Sequence, residues 1–196
     1  MRTQLIPYTY RRDEIEPGIL HIGVGNFHRA HQAFYTHRLL EEGSGCKWGI
    51  SGVMLLPGDE RLYRALQTQA NEYTLTVCGR DGKDEAYRIG SLVELIWGVE
   101  DPGAVIRRIA DSRIRILTLT ITEGGYNLDK ATGAFRIDEE SVRHDLLHPA
   151  EPQTVFGFVA EGLRRRKAAG SGPLTILSCD NLQHNGHTAR KAFTAF

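Results

Sequence analysis

Ile19-Leu-His-Ile-Gly-Val-Gly-Asn-Phe-His28 is the stretch that decides the fold of this chain. Its first four residues form an apolar run that predicts a buried strand at about residues 19–24. Gly23 and Gly25 predict a tight turn, and apolar residues at helical spacing predict a helix over residues 28–42. The stretch therefore indicates a strand, a glycine turn and a helix in succession.

The same alternation continues along the chain. Apolar runs predict further strands over Trp48–Leu56, Ile114–Ile121 and Leu174–Leu177, with helices between them. Two extended segments, Tyr73–Cys78 and Ala86–Ile96, predict a β-hairpin inserted among these units. Strands that alternate with helices are typical of a doubly wound, mostly parallel α/β sheet, so we predict a Rossmann-like fold.

Cap and charge signals mark the remaining helices. Asp101-Pro102 predicts a helix start, and a helix over Thr154–Lys167 is expected to end in a solvated basic run, Arg164–Lys167. Residues 187–196 have helical composition without a stop signal. We therefore expect an N-terminal leader over residues 1–18 that packs on a dinucleotide-binding domain over residues 19–196, with that domain truncated inside a helix.

The overall charge argues against large anionic partners. The 196 residues contain 24 Lys and Arg against 24 Asp and Glu, so no positive field favours nucleic acid or an anionic membrane. No apolar run approaches the roughly 20 residues that a membrane helix needs, and no secretory signal opens the chain. We expect a cytoplasmic protein whose partner is a small molecule.

Gly23-Val-Gly-Asn-Phe-His28 begins like a dinucleotide-binding fingerprint, because two glycines allow a turn and a close approach of the backbone to a pyrophosphate. His28 replaces the third glycine, and a simple tight turn is the alternative. Asp59 follows the second predicted strand, where a carboxylate commonly binds the adenosine ribose and favours NAD over NADP. A helix N-cap is the alternative for Asp59, and the neighbouring Arg61 leaves NADP open.

The spacing of the histidines and cysteines does not favour a zinc site. His28 and His31 share a helix face, and Cys179, His184 and His187 cluster near the end of the chain. The cysteines are few, widely spaced and never in a C-x-x-C pair. Packed or solvated histidines explain the pattern better, so we predict no metal.

Three segments together resemble the mannitol dehydrogenase family of long-chain polyol dehydrogenases. They are residues 21–35, Leu119-Thr-Ile-Thr-Glu-Gly-Gly-Tyr126 and Leu177-Ser-Cys-Asp-Asn-Leu-Gln-His-Asn-Gly186, in the family's order. The resemblance covers the family's N-terminal, cofactor-binding domain. It implies that a helical C-terminal domain is absent here, together with the lysine that acts as general base.

The resemblance also implies roles for residues of this chain. Asn181 matches an asparagine whose amide stabilises the developing alkoxide, and Glu123 matches a carboxylate implicated in proton traffic near the nicotinamide. Taken alone, Asn181 suits a loop and Glu123 suits a helix or turn cap. The implied cofactor-binding residues are Gly23, Gly25, Asn26, Phe27, His28, Arg29 and Asp59.

The function implied by the resemblance is hydride transfer between a polyol, with D-mannitol expected, and its ketose, D-fructose. The chain alone is expected to be inactive without the lysine-bearing domain, supplied in cis or in trans. Two alternatives remain at this point. One is the corresponding half of a fructuronate or tagaturonate reductase, and the other is a stand-alone dinucleotide-binding module without catalysis.

Overall fold

The computed structural model describes residues 4–43 and 47–196, which form two β-sheets flanked by helices. Ser44, Gly45 and Cys46, the last of these one of the widely spaced cysteines, lie outside the described residues. The strands are β1 Leu5–Ile6, β2 Glu16–Ile22, β3 Trp48–Met54, β4 Tyr73–Cys78, β5 Asp84–Ile89, β6 Leu92–Trp97, β7 Ile116–Leu119 and β8 Thr175–Ser178. The helices are α1 Asn26–Ala30, α2 Gln32–Glu41, α3 Glu60–Thr68, α4 Pro102–Ala110, α5 Thr122–Gly125, α6 Glu140–Leu147, α7 Val155–Ala169 and α8 Asn185–Ala195.

The larger sheet has five parallel strands in the order β6-β3-β2-β7-β8. Its central strands are buried on both faces, with Leu20, Ile50 and Leu117 fully shielded from solvent. The strand order changes direction at β2, so the chain passes to opposite sides of the sheet from this point. In such sheets a crevice opens between the carboxyl ends of the strands on either side of the change. The predicted Rossmann-like fold is confirmed.

The inserted hairpin is shorter than predicted and belongs to a second sheet. β4 and β5 pair antiparallel, and β1 of the leader adds to β5 in parallel, giving the order β1-β5-β4. The predicted second arm, Ala86–Ile96, changes sheets at Gly90 and Ser91, after which β6 pairs with β3. A Cβ on Gly90 would lie within 3.0 Å of the Tyr8 and Tyr10 rings, so the packing of the leader sets the point of this change.

Two predictions about helices need correction. The predicted helix over residues 28–42 is two helices, α1 and α2, because His31 leaves the helical region with φ −117° and ψ −87°. The basic run of α7 is only partly solvated, since Arg166 is 2% exposed. Its guanidinium donates hydrogen bonds to six backbone carbonyls, those of Ile109, Asp111, Ile114, Ser171, Gly172 and Pro173.

The predicted cap at Asp101 agrees with the structure, which also shows a cap at Thr154. The Asp101 carboxylate accepts a hydrogen bond from the Ala104 N–H at 2.8 Å, with Pro102 in the first turn of α4. The Thr154 hydroxyl caps α7 in the same way by accepting from the Gly157 N–H at 3.2 Å. These caps orient α4 and α7, which pack against each other and cover one face of the larger sheet.

Candidate functional site

The first glycine of the turn is required by the backbone. Gly23 has a φ of +99°, and a Cβ at this position would lie 2.1 Å from the Thr120 carbonyl oxygen. The Gly23 N–H donates to the Val53 carbonyl at 3.0 Å, and the Thr120 hydroxyl donates to the Gly23 carbonyl at 2.7 Å. Only glycine suits this position, because it has both the left-handed φ and a close backbone neighbour.

The second glycine keeps a space open. Gly25 precedes α1 with an ordinary φ of −98°, and its hypothetical Cβ would have only the Gly23 carbonyl oxygen nearby, at 4.0 Å. The residue lines a cavity at the carboxyl ends of the strands. A methyl group at this position would meet no close neighbour, so packing within the described chain does not require glycine here.

The third position of the fingerprint is filled by a buried ring. His28 stacks on His21 with centroids 3.5 Å apart, and both ring nitrogens of His28 are buried without a hydrogen-bond partner. The His21 ring nitrogens contact the Thr118 hydroxyl and the Gly23 carbonyl. Burial lowers the pKa of His21 to about 3 and holds the pKa of His28 well below its ordinary value, so both rings are neutral.

Two cavities open on the carboxyl edge of the larger sheet, and they share Gly23 and Thr120. The first, which we call the Asp59 cavity, has a volume of about 410 Å³. Its walls combine the end of β3 with the loop after β7 and the start of α7. Its lining residues include Leu55, Leu56, Asp59, Arg136, Thr154 and Phe156.

The second cavity, which we call the Asn181 cavity, has a volume of about 360 Å³. It lies between the start of α1 and the loops that follow β7 and β8. The lining residues are Gly23, Gly25, Asn26, Phe27, Thr120, Thr122, Glu123, Asp180, Asn181 and Leu182. This set brings the predicted catalytic pair, Glu123 and Asn181, to one cavity with four of the predicted cofactor-binding residues.

A buried carboxylate joins the two loops of the Asn181 cavity. Asp180 accepts hydrogen bonds from the Ile121 N–H at 3.2 Å, the Thr122 N–H at 2.8 Å and the Tyr126 hydroxyl at 2.7 Å. The Tyr126 hydroxyl also lies 2.6 Å from that of Ser178, and burial followed by the Asp180 hydrogen bond raises the pKa of Tyr126. The phenol therefore stays protonated and donates to Asp180.

The side chains of His28 and Arg29 line neither cavity, and their role in binding a cofactor stays a prediction. The Arg29 guanidinium donates to the Asn26 amide oxygen at 2.6 Å and lies 5.9 Å from the Tyr73 ring centre. Desolvation of this guanidinium lowers its pKa. Both residues thus support the turn from behind, in contact with residues that reach the cavities.

Sequence reasoning missed part of both cavities. Arg136 and Thr154 reach the Asp59 cavity from segments that carry no motif, and no local signal could have placed them there. Asp180 was within a quoted segment, but its partners are mainly backbone N–H groups, which a sequence does not display. Its place directly before the candidate Asn181 was the signal available in the sequence.

Metal-binding clusters and membrane-spanning helices are both absent from the described residues. Within residues 4–43 and 47–196, no cluster of three or more His, Cys, Asp or Glu side chains has the geometry to hold a metal ion. Burial raises the pKa of the Cys179 thiol, which opposes the thiolate form that binds zinc. No helix in these ranges is long and apolar enough to cross a membrane.

Comparison with known proteins places this geometry in a family. Residues 17–195 match the model of the mannitol dehydrogenase Rossmann domain. The chain is 46% identical over 189 residues to a polyol:NADP oxidoreductase of Gluconobacter oxydans, covering 95% of this chain and 39% of that protein. It is 45% identical over 184 residues to a mannitol 2-dehydrogenase of Cereibacter sphaeroides, covering 94% and 38%.

Solved structures agree with the sequence comparisons. The ternary complex of Pseudomonas fluorescens mannitol 2-dehydrogenase with NAD and D-mannitol superposes with a TM-score of 0.93 at 42% identity, covering 97% of this chain and 39% of that one. A substrate-free D-sorbitol dehydrogenase gives a TM-score of 0.91 at 44% identity, covering 97% and 40%. This chain thus spans about two fifths of the length of these relatives, and it belongs to the mannitol dehydrogenase Rossmann domain family.

Proposed function

We propose that the two cavities together bind NAD, with the adenosine half in the Asp59 cavity and the nicotinamide half in the Asn181 cavity. The observation that carries this proposal is that the cavities meet at Gly23 and Thr120, where the strand order changes direction. A dinucleotide laid across this point places its pyrophosphate over the glycine turn. Gly25 leaves the room that such a backbone contact needs.

Asp59 is proposed to select the adenosine ribose. It lies just after β3 on the wall of its cavity, and its side chain makes no capping hydrogen bond to α3. A carboxylate that is not engaged in a cap is free to accept hydrogen bonds from the 2′- and 3′-hydroxyls of the ribose. It would repel a 2′-phosphate, so we propose a preference for NAD over NADP. That the Gluconobacter oxydans relative is named for NADP makes this preference worth measuring directly.

The Asn181 cavity is proposed to hold the reacting end. NAD, when bound, supplies the hydride acceptor for the carbinol carbon of the substrate. The Asn181 amide is exposed at the cavity wall and would donate an N–H to the substrate oxygen as negative charge develops there. Glu123 is exposed on the same wall and would pass a proton between the cavity and solvent.

The substrate of the whole protein is proposed to be a polyol, with D-mannitol and D-fructose as the pair. The names of the Cereibacter sphaeroides and Pseudomonas fluorescens relatives support this choice. The family resemblance assigns the general base to a lysine of a second domain, so we propose that this domain, in the same polypeptide or as a partner, supplies that group. The chain alone is then expected to bind cofactor and to catalyse negligible turnover.

Calorimetric titration of the purified chain with NADH and NADPH tests the proposal. We expect NADH to bind more tightly, and Asp59→Ala to weaken NADH by about tenfold because it removes a charge-assisted hydrogen bond to the ribose. Glu60→Ala, next in the chain and outside both cavities, is the matched control and should leave affinity unchanged. A folded chain that binds neither dinucleotide would overturn the proposed function.

A further inference from the structure

The strongest unexplained feature of the Asn181 cavity is a strained residue next to Glu123 in its lining. Thr122 has a φ of +63°, a left-handed conformation that β-branched residues rarely adopt. It directly precedes Glu123 and opens the short helix α5. A conformation of this kind persists only where the surroundings hold it, and such positions concentrate at functional sites.

The surroundings that hold Thr122 belong to the loop after β8. The Asp180 carboxylate accepts the N–H groups of Ile121 and Thr122, one on each oxygen. Asp180 is 9% exposed, so these bonds are made largely out of water. Charge-assisted hydrogen bonds of this kind are about twice as strong as neutral ones. One carboxylate therefore fixes the two successive peptide units that lead into the strained residue.

The segment that carries Asp180 is held by the first residue of α8, and its carboxylate is held by Tyr126. The Asn185 amide donates to the carbonyl oxygens of Ser178 at 3.2 Å and Asp180 at 3.1 Å. The Tyr126 hydroxyl donates to the second carboxylate oxygen. Asp180 and the backbone around it are thus hydrogen-bonded directly before Asn181.

We propose that Asp180 is a positioning residue that couples the loop after β7 to the loop after β8, so that Glu123 and Asn181 face one bound nicotinamide. This inference rests on the proposed function, because it assigns the nicotinamide half of the cofactor to the Asn181 cavity. Asp180 acts through the left-handed turn at Thr122. Its effect is therefore confined to one end of the dinucleotide.

Two ligands separate this proposal from the proposed function. ADP-ribose contains the adenosine and pyrophosphate of the cofactor but no nicotinamide, whereas NADH contains all three. Asp180→Asn keeps the size of the side chain, but its amide N–H₂ must face one of the two backbone N–H groups. We expect Asp180→Asn to weaken NADH by about tenfold and ADP-ribose by less than about twofold, both measured by calorimetry.

Rescue distinguishes positioning from a general loss of structure. Glycine adopts a φ of +63° without strain, so the double variant Asp180→Asn/Thr122→Gly should form the turn without the carboxylate and recover NADH affinity to within about threefold of the original chain. Tyr126→Phe removes a hydrogen bond from the same carboxylate but leaves both backbone bonds. It is the matched control, and it should not change the ratio of the two affinities.

Each outcome has a definite meaning. Failure of the original chain to bind either ligand refutes the proposed function itself. An unchanged ratio in a folded Asp180→Asn, an equal loss of both ligands, or no rescue by Thr122→Gly overturns the positioning role while leaving the proposed function intact. If Asp180→Asn fails to fold and the double variant folds and binds NADH, the proposal is supported. If neither folds, Asp180 is a folding residue and the proposal is wrong.

Discussion

The amino and carboxyl ends of the strands in the five-stranded sheet, called its amino and carboxyl edges, differ in how fully their polar groups are hydrogen-bonded. At the amino edge, before β7 and β8, the buried guanidinium of Arg166 donates hydrogen bonds to six backbone carbonyl oxygens. At the carboxyl edge, Gly23 and Thr122 have positive φ, and His28 and Arg29 have buried nitrogen atoms without a partner. One edge is saturated with hydrogen bonds, and the other keeps strain and unused donors beside two cavities. Dense hydrogen bonding and open cavities thus lie at opposite ends of the same strands.

The largest expected effect lies at the saturated edge. Arg166→Met leaves six backbone carbonyls without their donor, so we expect the free energy of unfolding to fall by about 3–5 kcal/mol. Urea denaturation followed by circular dichroism measures this change. Lys167→Met is the control, because the Lys167 side chain is exposed near the same end of α7, and the change should cost less than about 1 kcal/mol. Equal losses in the two variants would contradict the comparison.

The next effect concerns Gly23, the residue with positive φ directly after β2. Gly23→Ala combines an unfavourable φ with a Cβ in collision with the Thr120 carbonyl, so we expect unfolding to become easier by about 3 kcal/mol. Gly170→Ala tests the φ alone, since Gly170 has a φ of +64° and nothing within 4 Å of its Cβ position. It should cost about 1 kcal/mol. Thermal melts that show no difference between these variants would exclude the collision as the cause.

A third variant tests whether the open edge is open for a ligand. Gly25→Ala should leave thermal stability unchanged but weaken NADH binding by about a hundredfold, because its methyl group occupies the space that a pyrophosphate needs. Gly186→Ala, another position with nothing near its Cβ, is the control and should change neither property. Retention of full NADH affinity by Gly25→Ala would mean that the cofactor does not approach this turn.

The smallest effect is a pH dependence away from both cavities. Hydrogen bonds from Arg164, and then from Arg165, lower the pKa of the Glu161 carboxyl to about 2 in the folded chain. A lowered pKa contributes stability that is present above the ordinary value of about 4.3 and is lost as the pH falls toward 2. The difference in unfolding free energy between the original chain and Glu161→Gln should therefore shrink between pH 5.5 and pH 3. A constant difference would rule out this ion pair as the source.

The sequence predicted the elements whose signals are local. Alternation of apolar runs and helices, with the turn at Gly23 and Gly25, predicted the parallel sheet. The pair Asp101-Pro102 predicted the cap of α4. The break at His31 shows in its backbone angles and carries no glycine or proline signal, and the change of sheet at Gly90 lies against Tyr8 and Tyr10, which are distant in the chain. Arg166 was read as solvated for the same reason, since the carbonyls it binds come from loops before two different strands.

The candidate site shows the same limit. Glu123, Asn181 and the glycine turn follow directly from motifs, and the structure brings them to one cavity. The side chain of His28 could not be distinguished from a cavity residue by spacing alone, and it faces His21 in the core. The wall supplied by Arg136 and Thr154 depends on the path of a segment with no motif. Motifs thus located the glycine turn and the predicted catalytic pair, and only the fold located Arg136 and Thr154 on the wall of the Asp59 cavity.

The stacked rings beneath the glycine turn have a consequence for the heat of cofactor binding. His21 and His28 are neutral and stay so from mildly acidic to alkaline conditions, because their burial disfavours the charged form. Ligand binding at the turn therefore has no histidine proton to release or take up through this pair. The stacked pair therefore contributes nothing buffer-dependent to the observed enthalpy of NADH binding near neutral pH.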